Sequence, residues 1–302
     1  MAELLEFVPN FSEGKDQALV DAIVAQMTAV PGVTCLSAEL DGSHHRAVVT
    51  LAGEKDAVAE AAFVGCEAAM ERIDLRGHVG EHKRMGAMDV CPFVPLGGTT
   101  MDAAVATARA VGQRIGDELG LPVFLYAEAC MREERRKLGN IRNKQFEGLQ
   151  DLVGSDDEFA PDCGPARMHE TAGAVGVGAR KFLIAYNVNL QTEDVQVAKD
   201  IAKAVREKDG GFPKVQGMGF FLDDKQLAQV SMNLLDFETT SIRAVFDKVK
   251  ELANAQGVEV AESELIGLAP AAAIDAELAA HIQLPDFDPA QSVVEAKLQQ
   301  GS

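Results

Sequence analysis

Two histidines four residues apart, His78 and His82 in RGHVGEHKRMGAMDV, enclose Glu81. This is the H-x-x-E-H spacing with which a helix presents two imidazoles to one zinc ion. The intervening residues oppose that chemistry. Gly77, Gly80 and Gly86 lie inside or beside the motif, and each glycine costs a helix about 1 kcal/mol relative to alanine. The amphipathic helix before the motif also ends near Arg72, so the stretch predicts a glycine-rich loop and no metal. A loop histidine flanked by Glu81, Lys83, Arg84 and Asp89 can face a cleft and titrate near neutrality as a general acid and base. A solvated surface histidine fits the spacing equally well.

Three other stretches carry groups that bind ligands. GAVGVGAR at 173–180 has a G-x-x-G-x-G pattern, but it lacks the Gly-Lys-Ser/Thr of a phosphate loop and the strand-then-helix context of a dinucleotide site. It reads as loop backbone able to approach a flat or anionic ligand closely. DGSHHR sets His45 and Arg46 at a hairpin tip, which is either a solvated turn or a place where a guanidinium captures a carboxylate. AYNVNL puts Asn187 and Asn189 on one face of a strand, toward a ligand or toward water.

The elements that must position these groups follow from hydrophobic period and turn residues. The first half reads strand (LLEFVPNF), helix (about 16–29), strand (VTCLSAEL), strand (RAVVTLAG), helix (about 56–72), strand (DVCPFVPL). The proline inside DVCPFVPL suggests an edge or a bulge. A helix at about 101–119, a strand (PVFLYAEA) and a charged helix ending near Gly148 follow. Residues 151–180 have no sustained period and read as a long loop. The pattern then restarts as strand, helix, strand, strand, helix, strand up to VEVAESELIGL, with a helical tail from about Ala272. Both halves therefore have the βαββαβ order of a ferredoxin-like unit. The expected class is α/β (α+β), with two such subdomains, 1–179 and 180–302, and a ligand cleft or tunnel between them.

Bulk composition narrows the function classes. The 302 residues are 47% hydrophobic and carry a formal charge of −19, which opposes nucleic acid and anionic membrane as partners. No run approaches a membrane span, and the N-terminus has no secretory pattern. Five scattered cysteines without a C-x-x-C fit a reducing, cytoplasmic setting.

FVPNFSEG, GEHKRMGAMDVCPFVPL, PDCGPARMHETAGAVGVGARKFLIAYNVNL, VQGMGFFL and QVSMNLLDFETT, taken in order, resemble the glutamate formimidoyltransferase family. The likeness runs from about residue 5 to about residue 270. It implies two α/β subdomains meeting at a folate tunnel, a homodimer, and transfer of a formimidoyl group from N-formimidoyl-L-glutamate to the 5-nitrogen of tetrahydrofolate, with tetrahydrofolate as acceptor co-substrate and no metal. Some animal members carry a fused cyclodeaminase domain; this chain is expected to be the transferase alone. The catalytic histidine of the family's Gly-Glu-His segment falls on His82. Its folate loop falls on Gly164, Pro165, Ala166, Arg167, Met168, His169, Glu170, Thr171, Ala172 and Gly173. Substrate contacts are expected from Glu39, where the family more often has aspartate, and from His45, Arg46, Asn187 and Asn189. Arg46, Arg180 or Lys181 would receive the substrate carboxylates. Lys83 and Cys163 stand where the family often has proline and an aromatic residue. A formyl donor, or a folate-binding protein without catalysis, fits the same residues.

Overall fold

The computed structural model describes residues 3–42, 44–80, 83–223 and 225–300. The chain divides into two compact units, 1–180 and 181–302. Among the described residues, no helix is long and apolar enough to cross a membrane.

In the first unit, β1 (Leu4–Phe7) and β2 (Asn10–Phe11) lie end to end, and both pair with β4 (Arg46–Glu54) and β5 (Met88–Leu96). β3 (Val33–Asp41) pairs with the far side of β4. Counting β1 and β2 as one broken strand, the order β5–β1/β2–β4–β3 is that of a ferredoxin-like sheet. Two parallel strands extend it beyond β5: β7 (Val175–Ala179) and then β6 (Val123–Ala127). Helices α1 (Gln17–Thr28), α2 (Lys55–Arg72) and α3 (Met101–Arg114) pack over one common core with the sheet. Their starts were readable: Asp16 caps α1 through the Leu19 amide, and Thr100 caps α3 through Ala103. Phe7 and Phe93 stack at 5.3 Å within that core. Burying one such ring contributes about 1.5–3 kcal/mol.

Three expectations change here. Pro92 is not on an edge, because β5 lies between β1/β2 and β7. Its carbonyl accepts the Val8 amide, at the break between β1 and β2. Its missing donor therefore falls where the neighbouring strand is already interrupted. GAVGVGAR is not a ligand loop: Val175–Ala179 is a strand buried along its whole length. A side chain at Gly178 would meet the Tyr126 ring at 2.6 Å, so packing dictates that glycine. The charged helix ending near Gly148 is instead a 3₁₀ turn and two short helices, α4 (Gly139–Arg142) and α5 (Gln145–Leu152). Gln145 adopts a left-handed φ of 58, which separates the two. These pieces close a second, smaller core of Met85, Phe124, Ile141, Leu149, Val153 and Phe159.

The second unit has β8 (Ile184–Leu190), α6 (Val195–Val205), β9 (Val215–Leu222), β10 (Leu227–Leu234), α7 (Ile242–Ala255) and β11 (Val260–Ile266). Its strand order, β11–β8–β10–β9, again is ferredoxin-like. The tail forms α8 (Ala276–His281), α9 (Pro289–Ser292) and α10 (Val294–Gln300). All five cysteines are free thiols; burial pushes the Cys66 thiol up to about 12.

Candidate functional site

Glu81 and His82 lie outside the described residues. After one 3₁₀ turn, His78 takes extended backbone, φ −77 and ψ 124. The helix that a zinc motif needs is therefore absent at its first histidine. Both ring nitrogens of His78 are engaged within the protein. Nε2 lies 2.9 Å from the His45 carbonyl, and Nδ1 receives the Arg84 Nε–H at 3.1 Å. The His45 ring stacks on that of His78, with centroids 4.1 Å apart and planes at 10°.

The β3–β4 hairpin tip thereby joins the glycine-rich loop. His45 adopts φ 52, its Nδ1 lies 2.9 Å from the Val79 carbonyl, and its Nε2 lies 3.3 Å from Glu13 Oε1. Burial opposes charge on Glu13, yet the Asp16 and Lys15 amides together with His45 outweigh it. The Glu13 carboxyl is held below the ordinary glutamate range. Arg84 is buried and donates to both oxygens of Glu147, at 2.8 and 2.5 Å.

Next along the chain, Asp89 sits at a bulge. The β2–β5 ladder passes from Val90 to Met88 and skips Asp89. Met88 and Cys91 accordingly both reach the helix-covered core, while Asp89 pairs with Arg142 of α4. The Asp89 carboxylate also accepts the Met85 amide at 2.7 Å. Full burial nevertheless raises its pKa, with Arg142 opposing the shift. Arg46 lies in the field of Arg142, Asp89 and Asp41; burial, then Arg142, lowers its pKa. Glu39 is exposed and pairs with Val48, which places it on the same face of the hairpin as Arg46.

The segment Gly164–Gly173 is fastened to this region. The Leu75 amide donates to the Thr171 carbonyl at 2.9 Å, Ala87 to Ala172 at 2.9 Å, and Ala174 to Met85 at 3.0 Å. Arg76 reaches Glu170 at 2.9 Å. His169 Nδ1 accepts the Ala172 amide at 3.1 Å, and His169 and Gly173 exchange backbone bonds. Gly164, Ala166, Arg167 and Glu170 are exposed, whereas Pro165, Met168, His169 and Thr171 are partly covered. Gly173 takes φ +71, and a Cβ there would stand 2.2 Å from the Met85 carbonyl oxygen. Gly173→Ala is expected to cost about 2 kcal/mol or more, from left-handed backbone plus collision. Urea denaturation checks this, and a midpoint within error of the wild type would refute it.

In the second unit, Asn187 and Asn189 face carboxylates of their own sheet. Asn189 donates to Glu262 at 3.1 Å and Glu264 at 2.8 Å, and it accepts from Gln229 at 2.9 Å. Lys225 bridges the same two glutamates at 2.7 and 2.6 Å. The hydrogen bonds from Lys225 and Asn189 hold Glu262 below its ordinary range. Asn187 also bonds to Glu264. Lys181 pairs with Asp236 at 2.8 Å and Glu238 at 2.9 Å. Arg142, Glu147 and Glu13 escaped the sequence reading, because nothing in local spacing ties residue 84 to 147 or residue 89 to 142.

Comparison with known proteins agrees with this architecture. Residues 4–180 match the family model described as the formiminotransferase domain, N-terminal subdomain, and residues 185–297 match the formiminotransferase domain. The chain is 44% identical to a glutamate formimidoyltransferase of Streptococcus pyogenes serotype M1, over 99% of both chains. It is 44% identical to one from Thermoplasma acidophilum, over 99% of this chain and 98% of that one. It is also 44% identical to a formimidoyltransferase-cyclodeaminase of Sus scrofa, over 91% of this chain and 51% of the pig protein. With two consecutive domain models covering nearly all its length and full-length relatives at this identity, the chain belongs to the formiminotransferase family.

Proposed function

We propose that this protein is a glutamate formimidoyltransferase. It transfers the formimidoyl group of N-formimidoyl-L-glutamate to N5 of tetrahydrofolate and releases L-glutamate. The N5 lone pair attacks the formimidoyl carbon to form a tetrahedral intermediate. The bond from that carbon to the glutamate nitrogen then breaks. The leaving amine must be protonated and the attacking nitrogen must lose a proton. His82, as a base and then an acid, carries that proton from one to the other. Gly164–Gly173 is the folate loop of this reading. Arg46, with Glu39 and His45 beside it on the hairpin, takes substrate carboxylate and amide groups, while Asn187 and Asn189 order the Glu262 and Glu264 carboxylates of their own sheet. The subdomains are 1–179, with the catalytic and folate loops, and 180–302. A homodimer in the cytoplasm completes the assignment, by likeness to the family.

One observation supports the site most directly. The two segments that the resemblance assigns to catalysis and to folate, far apart in sequence, are bonded to one another through Leu75–Thr171, Ala87–Ala172, Met85–Ala174 and Arg76–Glu170. Holding two substrates in line is the larger part of such a reaction, and that requires the two segments to share a frame. Purified protein is expected to turn over N-formimidoyl-L-glutamate with tetrahydrofolate, followed by folate absorbance, and to be slower with N-formyl-L-glutamate. Faster turnover of the formyl donor would reassign the substrate, and turnover of neither would defeat the reading.

A further inference from the structure

The face of the first sheet that turns away from α1, α2 and α3 gathers two guanidiniums around one buried carboxylate. Ala47 of β4, Phe11 of β2 and Met88 of β5 lie in one register row and enter the helix-covered core. Arg46 and Asp89 each stand one residue off that row and emerge on the other side. Along β6, Val123 and Leu125 enter the same core, so Tyr126 also emerges opposite, where its ring lies against Gly178 of β7. α4 packs on this face through Ile141, which joins Phe124 in the second core, and the next residue is Arg142. Arg142 thereby meets Asp89.

Asp89 is fixed on both sides. One carboxylate oxygen accepts the Met85 amide at 2.7 Å, and the other holds Arg142. The Asp89 side chain is 2% exposed and that of Arg142 20%, so the carboxylate lies beneath a guanidinium that still reaches the surface. A guanidinium has five N–H donors, more than one carboxylate oxygen takes up. Arg46 is close enough to feel Arg142 as a repulsion and Asp89 as an attraction; burial, then Arg142, holds its pKa below the ordinary arginine value. Asp41, the other carboxylate in its field, is exposed at the hairpin tip and also pairs with His44. Arg142 and Arg180 both act on Tyr126. On a chain of net charge −19, two partly buried cations sharing one buried carboxylate leave local positive charge that an incoming anion neutralises.

We propose that Arg142, held by Asp89 and flanked by Arg46, receives one of the two carboxylates of the amino-acid donor and is a specificity-determining residue, selecting a charged carboxylate over an amide at that position. The inference rests on the transferase reading above. Chemistry selects the donor over the folate. In N-formimidoyl-L-glutamate both carboxylates lie within a few bonds of the nitrogen that leaves, whereas those of tetrahydrofolate lie beyond its aminobenzoyl group, far from N5. The Arg142–Asp89 pair is also fastened at the end of the Gly164–Gly173 segment: the Met85 amide bonds Asp89, and the Met85 carbonyl accepts the Ala174 amide. A carboxylate on Arg142 is thereby set beside the frame in which two substrates must be held in line. Arginine suits the task because its planar fork matches a carboxylate through two hydrogen bonds, where lysine offers only a point charge.

The test uses the full chain with Arg142→Lys, and with Arg142→Met and Asp89→Asn together, which removes both buried charges and keeps an amide oxygen for the Met85 N–H. Both variants are expected to raise KM for N-formimidoyl-L-glutamate by about tenfold or more, while kcat at saturation and KM for tetrahydrofolate move by less than about threefold. The two monoamides of the donor, at its side-chain and its α carboxyl group, identify the contact. The wild type is expected to lose about a hundredfold in kcat/KM with one of them, and both variants less than about tenfold with the same amide, because a contact already removed cannot be lost again. An equal penalty in wild type and variants, or a rise in KM for tetrahydrofolate in place of the donor, would overturn the proposal. L-Glutamate binding, followed by calorimetry, reads the site without turnover. It is expected to weaken by about tenfold in both variants, and unchanged affinity would overturn the proposal. Absence of turnover by the wild type would defeat the transferase reading, whereas turnover with an ordinary donor KM in both variants would defeat the carboxylate site alone.

Discussion

His82→Ala is expected to lower kcat by about 10²–10⁴-fold, the usual worth of a positioned acid–base group. Tetrahydrofolate affinity should stay within a few-fold. The separation follows from where each function lies in the chain. Folate is assigned to Gly164–Gly173, whose backbone is held by Leu75, Ala87, Met85 and its own His169–Gly173 bridge. The proton transfer has no obvious substitute: the formimidoyl carbon is already electrophilic, and the difficulty is expulsion of a glutamate amine that must first be protonated. Raising pH cannot help the alanine variant, because hydroxide assists the attacking nitrogen but not the leaving one. Single-turnover rates and folate fluorescence titration measure the two quantities separately. A variant with rate within threefold of the wild type would remove His82 from the mechanism, and one that lost folate affinity in proportion to rate would make it a binding residue.

Much of the architecture was legible because amphipathic period and turn residues agree with each other along both βαββαβ repeats. α1, α3, α6 and α7 each have a side-chain cap where the sequence places Asp, Thr, Asp and Ser. β7 was illegible for a physical reason: buried on both faces, it has no polar alternation, and its glycines imitate a loop. The Asp89 bulge was hidden in an unbroken run of apolar neighbours and shows only in the register of β5 against β2. The asparagines were expected to face a ligand or water, but they face Glu262 and Glu264, on a strand more than seventy residues away. Sequence could name candidates where a single segment carries the proposed role, as with His82 and Gly164–Gly173. It was opaque where long-range ion pairs do the holding, as between Arg84 and Glu147.

The second large effect is expected at one of those pairs, and its kinetic signature should be the opposite of the first. Arg135 and Asp162 meet at 2.6 Å with side chains only 1% and 6% exposed. Arg135 also donates to the Glu158 and Ala160 carbonyls and lies over the Phe124 ring. Asp162 accepts the Leu125 amide at 2.8 Å, and its own amide bonds the Val123 carbonyl. The pair therefore pins β6 to the two residues that lead into Gly164. Arg135→Met leaves the Asp162 charge buried without its cation, so about 3–5 kcal/mol of stability should be lost. Two carbonyls also lose their donor. Arg135→Met with Asp162→Asn removes both charges while an amide oxygen can still accept from Leu125, and should recover a substantial part of the loss, since a buried pair is less costly to delete than to break. Urea denaturation of the two variants measures the difference. Equal destabilisation would mean that the carbonyl bonds, not the charge pair, hold the strand. Where the single variant remains folded, the entry to the folate loop is what loosens, so KM for tetrahydrofolate should rise while kcat at saturation holds. A fall in kcat with unchanged KM would instead tie Arg135 to the catalytic segment, and Gly164–Gly173 would then not be the folate contact that its anchoring implies.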